Sequence, residues 1–175
     1  MSNKFEILMN QLDMPLEMRN SEAFLNAEIE KVLVHKVSRV WEFHFSFSDI
    51  LPIEIFRELQ KRLAQEFSKT GNQAIFEIHC QAPQVSDELL QAYYQLAFEE
   101  GPCASHGFKS LYQDLQVHLD GDKLLIEGAS TIDTEHFRKN HLPNLSRQLV
   151  KYGFPHLTCQ VQHSDELTQQ QAENF

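Results

Sequence analysis

The chain has 175 residues, of which 42% are hydrophobic and 23% are charged, and its formal net charge is −10. Its 13 Phe and single Trp supply enough apolar area for a core, which excludes a mainly disordered chain. No apolar run approaches the roughly 18 residues of a membrane span, the first residues lack a signal-peptide pattern, and three Cys do not suit a disulfide framework. We therefore expect a cytoplasmic protein with reduced thiols and no membrane association.

The first half of the chain predicts the order helix, strand, strand, helix, strand. Apolar residues three and four positions apart predict the first helix. Alternating aromatic and polar residues predict a half-buried second strand. Pro52 opens the longer helix, which Gly71-Asn72 ends. The predicted elements cover residues 4–11, 28–37, 40–47, 52–70 and 74–80, with a polar stretch at 19–26 and a connector at 81–85.

The second half predicts the same order with additional helices. Ser86 caps a helix that runs to Glu100, and Asp120-Gly121-Asp122 is a strong hairpin turn. The remaining predicted elements cover residues 105–112, 115–119, 124–127, 133–141, 143–153 and 155–163.

We interpret this order as an α+β fold with two small tandem α-β-β-α-β domains, each a sheet with helices on one face. The predicted domains span residues 1–82 and 83–163, and a polar tail spans residues 164–175. Whether the recurrence is an internal repeat or a chance likeness stays open. The predicted core of the first domain comprises Trp41, Phe43, Phe45, Phe56, Leu63, Phe76 and Ile78. The predicted core of the second comprises Leu90, Tyr94, Leu115, Val117, Leu125, Ile126, Leu149 and Val161.

Motifs for catalysis are missing from the sequence. The six glycines are scattered, so no phosphate-cradling loop is predicted, and no Ser lies in a nucleophile elbow. Cys103 and His106 have the spacing of half a zinc site, but no second ligand pair follows. We therefore predict no catalytic residue, no metal and no cofactor. A small enzyme that uses Cys103 as a nucleophile is a weaker hypothesis.

Nucleic-acid binding is the closer alternative. The order helix, strand, strand, helix, helix, strand is that of a type II KH domain, which grips a nucleic-acid backbone through a G-x-x-G loop between two helices. The corresponding stretch, residues 140–144, has no glycine. Residues 1–83 have a net charge of −3 and residues 84–175 one of −7. We expect weak or no binding of nucleic acid, and a KH-type module for single strands remains the alternative.

The sequence resembles the N-terminal region of the PolC-type DNA polymerase III α subunits of low-GC Gram-positive bacteria. The resemblance covers essentially the whole chain, through framework segments rather than catalytic motifs. Those segments are Lys4-Phe5-Glu6-Ile7-Leu8, Val34-His35-Lys36, Trp41-Glu42-Phe43-His44-Phe45, Ile50-Leu51-Pro52-Ile53-Glu54-Ile55 and Gly153-Phe154-Pro155.

The resemblance implies a non-catalytic piece of a DNA-directed DNA polymerase with a 3′–5′ exonuclease. It implies a first domain similar to the polymerase-binding domain of the clamp-loader tau subunit, and a second that is KH-like. The whole family members carry further domains with catalytic carboxylates, for which this chain has no matching positions. The implied role is a replisome protein-interaction module, with clamp-loader tau as the expected partner.

Arg57 and Lys61 are the candidate partner-binding residues. They lie four apart on a predicted helix and share one exposed edge, whereas Arg62 lies about 140° from Arg57 around the helix. An acidic partner surface would suit this pair. Local neutralisation by Glu54 and Glu58 is the competing interpretation. The apolar side of the helix at residues 5–12 is the next candidate surface, although packing on its own sheet is the favoured interpretation of this helix. Trp41 is either core or an interaction hot spot, with core as the favoured interpretation.

Overall fold

The computed structural model describes residues 1–100, 115–128 and 131–163, with the backbone alone at 131–133 and 163. The chain divides into two compact units. Unit 1 comprises Met1–Val85 and Val150–Pro155, and unit 2 comprises Ser86–Leu149 and the residues from His156 onward. Cys103, the predicted helix at 105–112 and the predicted tail at 164–175 lie outside the described residues.

Unit 1 is a three-stranded sheet with helices packed on one face. The strand order is β1-β2-β3, with β1 antiparallel to β2 and β2 parallel to β3. The parallel pair requires a crossover, which α3 provides. The elements are α1 Asn3–Gln11, α2 Leu16–Arg19, a 3₁₀ turn Glu22–Phe24, β1 Glu28–His35, β2 Val40–Phe47, α3 Ile53–Ser68 and β3 Gln73–Cys80.

Aromatic rings form the core of unit 1. The residues Phe43, Phe45 and Phe47 alternate along β2, and all three are buried. Phe5 of α1 lies on this row, with its ring centroid 5.7 Å from that of Phe45 and 5.6 Å from that of Phe47. Since Phe5 is fully buried, α1 is part of the core rather than an appended helix.

A short segment from late in the chain completes unit 1. The ring of Tyr152 packs edge-on against that of Phe56, with centroids 5.2 Å apart. Gly153 lies so close to Ile78 and Cys80 that a Cβ atom there would be 2.7 Å from the Cys80 sulfur. Tyr152 and Phe154 are both buried.

Unit 2 has the same sheet topology. Its strand order is β4-β5-β6, with β4 antiparallel to β5 and β5 parallel to β6. The elements are α4 Asp87–Glu99, β4 Gln116–Asp120, β5 Lys123–Gly128, α5 Thr131–Asn140, α6 Leu142–Lys151 and β6 Thr158–His163; the last two residues of α6 belong to unit 1. The described core comprises Leu90, Tyr93, Tyr94, Leu96, Ala97, Val117, Leu124, Ile126, Phe137, Leu145, Leu149 and Leu157.

The predicted mixed α+β fold with two three-stranded sheets is confirmed, and the two units share one topology. The predicted core is wrong at Leu125, which is half-buried and pairs with His118 and Gln160 on the face opposite Ile126. Neighbouring strand residues point to opposite faces, so Leu125 and Ile126 cannot both face one core. Four other predicted core residues are only half-buried: Trp41, Phe76, Leu115 and Val161.

Several element boundaries also differ from the prediction, and β6 begins at Thr158 rather than at residue 155. The polar stretch at 19–26 contains a 3₁₀ turn, α2 precedes it, and both are too short to give an apolar period. The strand β1 ends at His35, because residues 36–39 form a four-residue turn in which Arg39 has a φ of 56°.

None of the helices within the described ranges has both the length and the apolar character needed to cross a bilayer.

The connector after β3 is bonded to unit 1. The backbone N–H groups of Gln81 and Ala82 donate to the carbonyl oxygens of Phe47 and Ser48 at 2.9 and 3.0 Å. The N–H of Gln84 donates to Oδ1 of Asp49 at 2.8 Å. The hydrogen bonds therefore continue along the connector as far as Gln84.

Candidate partner-binding site

The candidate residues Arg57 and Lys61 lie on α3, whose opposite side is buried. Pro52 precedes the helix, and its carbonyl oxygen accepts the N–H of Phe56 at 3.1 Å. The buried positions of α3 are Ile55, Phe56, Leu59 and Leu63. Because these residues fill the side that faces the sheet, Arg57 and Lys61 are left on the outside, and both are exposed.

Arg62 has a different role from its two basic neighbours. Its guanidinium forms an ion pair with Glu58 and donates to the carbonyl oxygens of Leu12 and Asp13. These contacts join α3 to the turn that follows α1. Arg62 therefore stabilises unit 1 and is not available to the candidate surface.

The pairing of Glu58 bears on local neutralisation of the candidate surface. The hydrogen bond from Arg62 is the main cause that holds the pKa of the Glu58 carboxyl below its usual value, against the opposing effect of burial. The positive charges of Arg62 and Lys61 act in the same direction. Glu58 thus forms its direct ion pair with Arg62, and Lys61 acts on it only through its field. Glu54 is exposed on the first turn of α3.

The apolar side of α1 is not an available surface. Phe5 and Met9 are fully buried, and Leu8 and Leu12 are 7% and 4% exposed. The expectation that this side could serve as the next candidate for partner binding is therefore wrong, because the unit's own aromatic core covers it.

The turn between α5 and α6 is the position of the predicted KH-like loop. A single residue, His141, separates the two helices. Its N–H donates to the Phe137 carbonyl at 2.9 Å, and its own carbonyl accepts the N–H of Leu145 at 3.0 Å. Burial, and then the nearby His136, lower the pKa of His141. The backbone groups of His141 are therefore already used within the two helices.

The open face of the unit 2 sheet is polar. Across β4, β5 and β6, one set of register partners on this face is Gln116, Glu127 and Gln162. A second set is His118, Leu125 and Gln160. No Phe, Tyr or Trp lies on this face among the described strands. The face thus lacks the aromatic platforms on which single-stranded bases stack.

The two described thiols are not activated. Burial, with a smaller effect of Asp49, raises the pKa of Cys80 to about 12. Burial also raises the pKa of Cys159, against the opposing hydrogen bond with Ser146. A thiolate is the reactive form of cysteine, so both residues are poor nucleophiles.

The described residues bring together no group of metal ligands. Nowhere in residues 1–100, 115–128 and 131–163 do three or more His, Cys, Asp or Glu side chains come together as possible ligands. His44 lies between Glu42 and Glu77, with nitrogen–oxygen distances of 2.8 and 3.7 Å, on the polar face of the unit 1 sheet. Glu42 lies with His44 on β2 and Glu77 lies on β3, so these contacts join two neighbouring strands.

The sequence matches two families, one in each half of the chain. Residues 4–78 match the family described as DNA polymerase III polC-type N-terminus I, and residues 92–175 match N-terminus II. Curated relatives with the name DNA polymerase III PolC-type are similar over all 175 residues, and the chain spans 12% of their length. The identity is 96% in Streptococcus sanguinis strain SK36, 64% in Streptococcus pneumoniae strain D39 and 47% in Streptococcus pyogenes strain Manfredo. No solved structure matches the chain.

Proposed function

Because this chain belongs to the family of N-terminal regions of PolC-type DNA polymerase III, we propose that it is a non-catalytic protein-interaction module of a replicative DNA polymerase. The observation that supports this proposal is the match of both units to N-terminal families, which contain no polymerase domain. The whole protein would carry out DNA-directed DNA synthesis with 3′–5′ exonuclease activity in the cytoplasm. This region would need no cofactor of its own.

The more specific proposal names clamp-loader tau as the partner and α3 as the contact. The choice of partner rests on the similarity to the polymerase-binding domain of tau that the resemblance of the sequence to the PolC family implies for the first domain. The exposure of Arg57 and Lys61 on one side of α3 supports the choice of surface. Two cations four residues apart suit an acidic partner surface, which mainly speeds association and gives specificity.

Charge reversal tests this surface. The double variant Arg57→Glu/Lys61→Glu should associate with purified tau about tenfold more slowly at low salt. Its free energy of unfolding should stay within about 1 kcal/mol of the wild type, because both residues are exposed. The matched control is Arg138→Glu/Lys139→Glu, which makes the same change of charge on the exposed end of α5. Equal association rates for the wild type and the α3 variant would show that this patch is not the tau contact.

The KH-type alternative is proposed to contribute little. The α5–α6 turn has no glycine, and the open sheet face of unit 2 has no aromatic residue among its described strands. We expect a dissociation constant for single-stranded DNA no tighter than roughly 10⁻⁵ M at physiological salt. A titration of labelled oligo-dT that gives sub-micromolar affinity at 150 mM salt would instead favour the nucleic-acid module.

A further inference from the structure

The end of the β1–β2 hairpin is an exposed surface with both apolar and basic groups. Val37 at its tip is fully exposed, at 102% of its reference area, and Val34 is 45% exposed. Lys36 and Arg39 flank Val37 and are also exposed. Neither cation forms an ion pair with a carboxylate in the described part of the chain.

Trp41 extends this surface along the sheet. Val34 and Trp41 are register partners on β1 and β2, so their side chains lie side by side on one face. The Trp41 ring packs against Phe67 at the end of α3, with centroids 5.2 Å apart, and both residues remain half-buried. Val34, Trp41 and Phe67 thus form a partly exposed apolar strip at the end of the hairpin whose turn carries Val37 and the two cations. We refer to these four residues with Lys36 and Arg39 as the hairpin surface.

A second loop lies next to the hairpin and adds no negative charge. The N–H of Gln73 donates to the Arg39 carbonyl at 2.9 Å, which joins the turn before β3 to the hairpin. Residues 35–41 and 67–76 contain no Asp or Glu. Lys69 in this second loop pairs with Glu66 at 2.9 Å, so its charge is locally balanced. The uncompensated positive charge therefore lies at Lys36 and Arg39.

We propose that the hairpin surface docks a protein segment that presents an apolar side chain flanked by carboxylates. An apolar strip with a Trp and an Arg has the composition of an interface hot spot. The two uncompensated cations are complementary to two carboxylates on the partner. This surface is separate from Arg57 and Lys61 on α3, and the proposal does not depend on the proposed tau contact.

A protein segment fits these groups better than a nucleic acid. Two cations neutralise few phosphates, and the chain as a whole has a charge of −10. The Trp41 and Phe67 rings of this surface are half-buried against each other, and its most exposed apolar residues, Val34 and Val37, have no ring for a base to stack on. They are instead suited to contact with aliphatic or aromatic side chains of a protein.

Selection from a displayed library of random 16-residue peptides tests the proposal on the folded chain. The library is selected on the wild type and counter-selected on the variant Lys36→Glu/Arg39→Asp; Asp is chosen because it tolerates the positive φ of Arg39. We expect the recovered peptides to be enriched in Asp and Glu around an apolar residue. Their binding should change the emission of Trp41, which is the chain's single Trp.

Three variants separate the possible outcomes. Recovered peptides should bind Lys36→Glu/Arg39→Asp about tenfold more weakly, and Arg57→Glu/Lys61→Glu and Arg138→Glu/Lys139→Glu like the wild type. The milder variant Val37→Asp should also weaken binding, which keeps the test valid if the double variant does not fold. Recovery of no hairpin-dependent peptide, or of peptides without acidic enrichment, would overturn the proposal. A 20-base-pair duplex or dT20 that binds more tightly than the peptides, and that loses this binding in the Lys36→Glu/Arg39→Asp variant, would overturn the proposal in favour of a nucleic acid.

Discussion

Arginine side chains in unit 1 bind backbone carbonyl groups of the unit itself. Arg62 donates to the carbonyl oxygens of Leu12 and Asp13, and Arg19 donates to that of Met14 at 2.6 Å. Three consecutive carbonyl groups after α1 are thus satisfied by guanidinium groups, at a turn where Asp13 has a φ of 54°. A count of basic residues from the sequence therefore overstates the charge available to a partner.

Gly153 is a position at which even a methyl side chain should destabilise unit 1. Its φ is +108°, and an added Cβ would lie 2.7 Å from the Cys80 sulfur and 3.1 Å from Cγ2 of Ile78. Gly153→Ala should lower the free energy of unfolding by about 2–4 kcal/mol, because a left-handed conformation and overpacking both contribute. Urea unfolding followed by Trp41 fluorescence measures the change.

Gly71→Ala is the matched control for this prediction. Gly71 also has a positive φ, of +74°, but its added Cβ would meet only the flexible end of Arg39 at 3.2 Å. Its cost should be about 1–2 kcal/mol, from the backbone conformation alone. Equal costs for the two variants would contradict the close packing of Gly153.

At the scale of elements, α1 has one deeply buried side and one exposed side. Phe5 is fully buried among rings, with Phe24 at a centroid distance of 5.4 Å, whereas Ile7 on the same helix is 57% exposed. Phe5→Ala should lower the free energy of unfolding by about 3–5 kcal/mol, through lost burial and a cavity. Ile7→Ala should change it by no more than about 0.5 kcal/mol. Urea unfolding of both variants checks the pair, and a small effect at Phe5 would contradict the assignment of α1 to the core.

Elements whose apolar residues recur with the regular spacing of a helix or a strand were predictable from the sequence. Features that depend on contacts between distant parts of the chain were not. The alternation of β2 and the spacing of α3 indicate which side is buried, and hence that Arg57 and Lys61 are exposed. The role of Arg62 was not predictable, because the carbonyl groups it binds lie about fifty residues away. The depth of Phe5 was not predictable either, since it depends on strands that come later in the chain.

At the scale of the whole molecule, chain order and spatial grouping differ. The two sheets share one topology, as the recurrence in the sequence suggests. Val150–Pro155 nevertheless packs in unit 1, although every neighbouring residue in the sequence belongs to unit 2. A local sequence pattern predicts the conformation of a segment but not which core the segment packs in. The sequence therefore placed this segment in the predicted second domain. The predicted domain boundary near residue 82 stays a prediction, which cleavage between residues 80 and 87 would support.

A fragment of residues 1–85 should therefore be less stable than the whole chain. It lacks Tyr152, Gly153 and Phe154, which pack in unit 1 and contact Phe56, Ile78 and Cys80. In the chain, burial raises the pKa of Cys80 to about 12 from its usual 9.0. Between pH 9 and about 12 the folded chain keeps this proton and the unfolded chain loses it, so its stabilising contribution is complete below pH 9 and is lost as the pH rises towards 12.

Iodoacetamide at pH 8 provides the measurement, in a Cys103→Ser/Cys159→Ser background so that Cys80 alone reacts. The thiolate is the nucleophile, so Cys80 should react slowly in the whole chain and faster in the fragment, where its pKa falls back towards the usual value. Trp41 fluorescence should show a lower urea midpoint for the fragment. The whole-chain variant Tyr152→Ala/Phe154→Ala is the matched control. Like the fragment, it should show faster reaction of Cys80 with iodoacetamide and a lower urea midpoint. Equal rates and equal midpoints in chain and fragment would show that unit 1 is complete without Val150–Pro155.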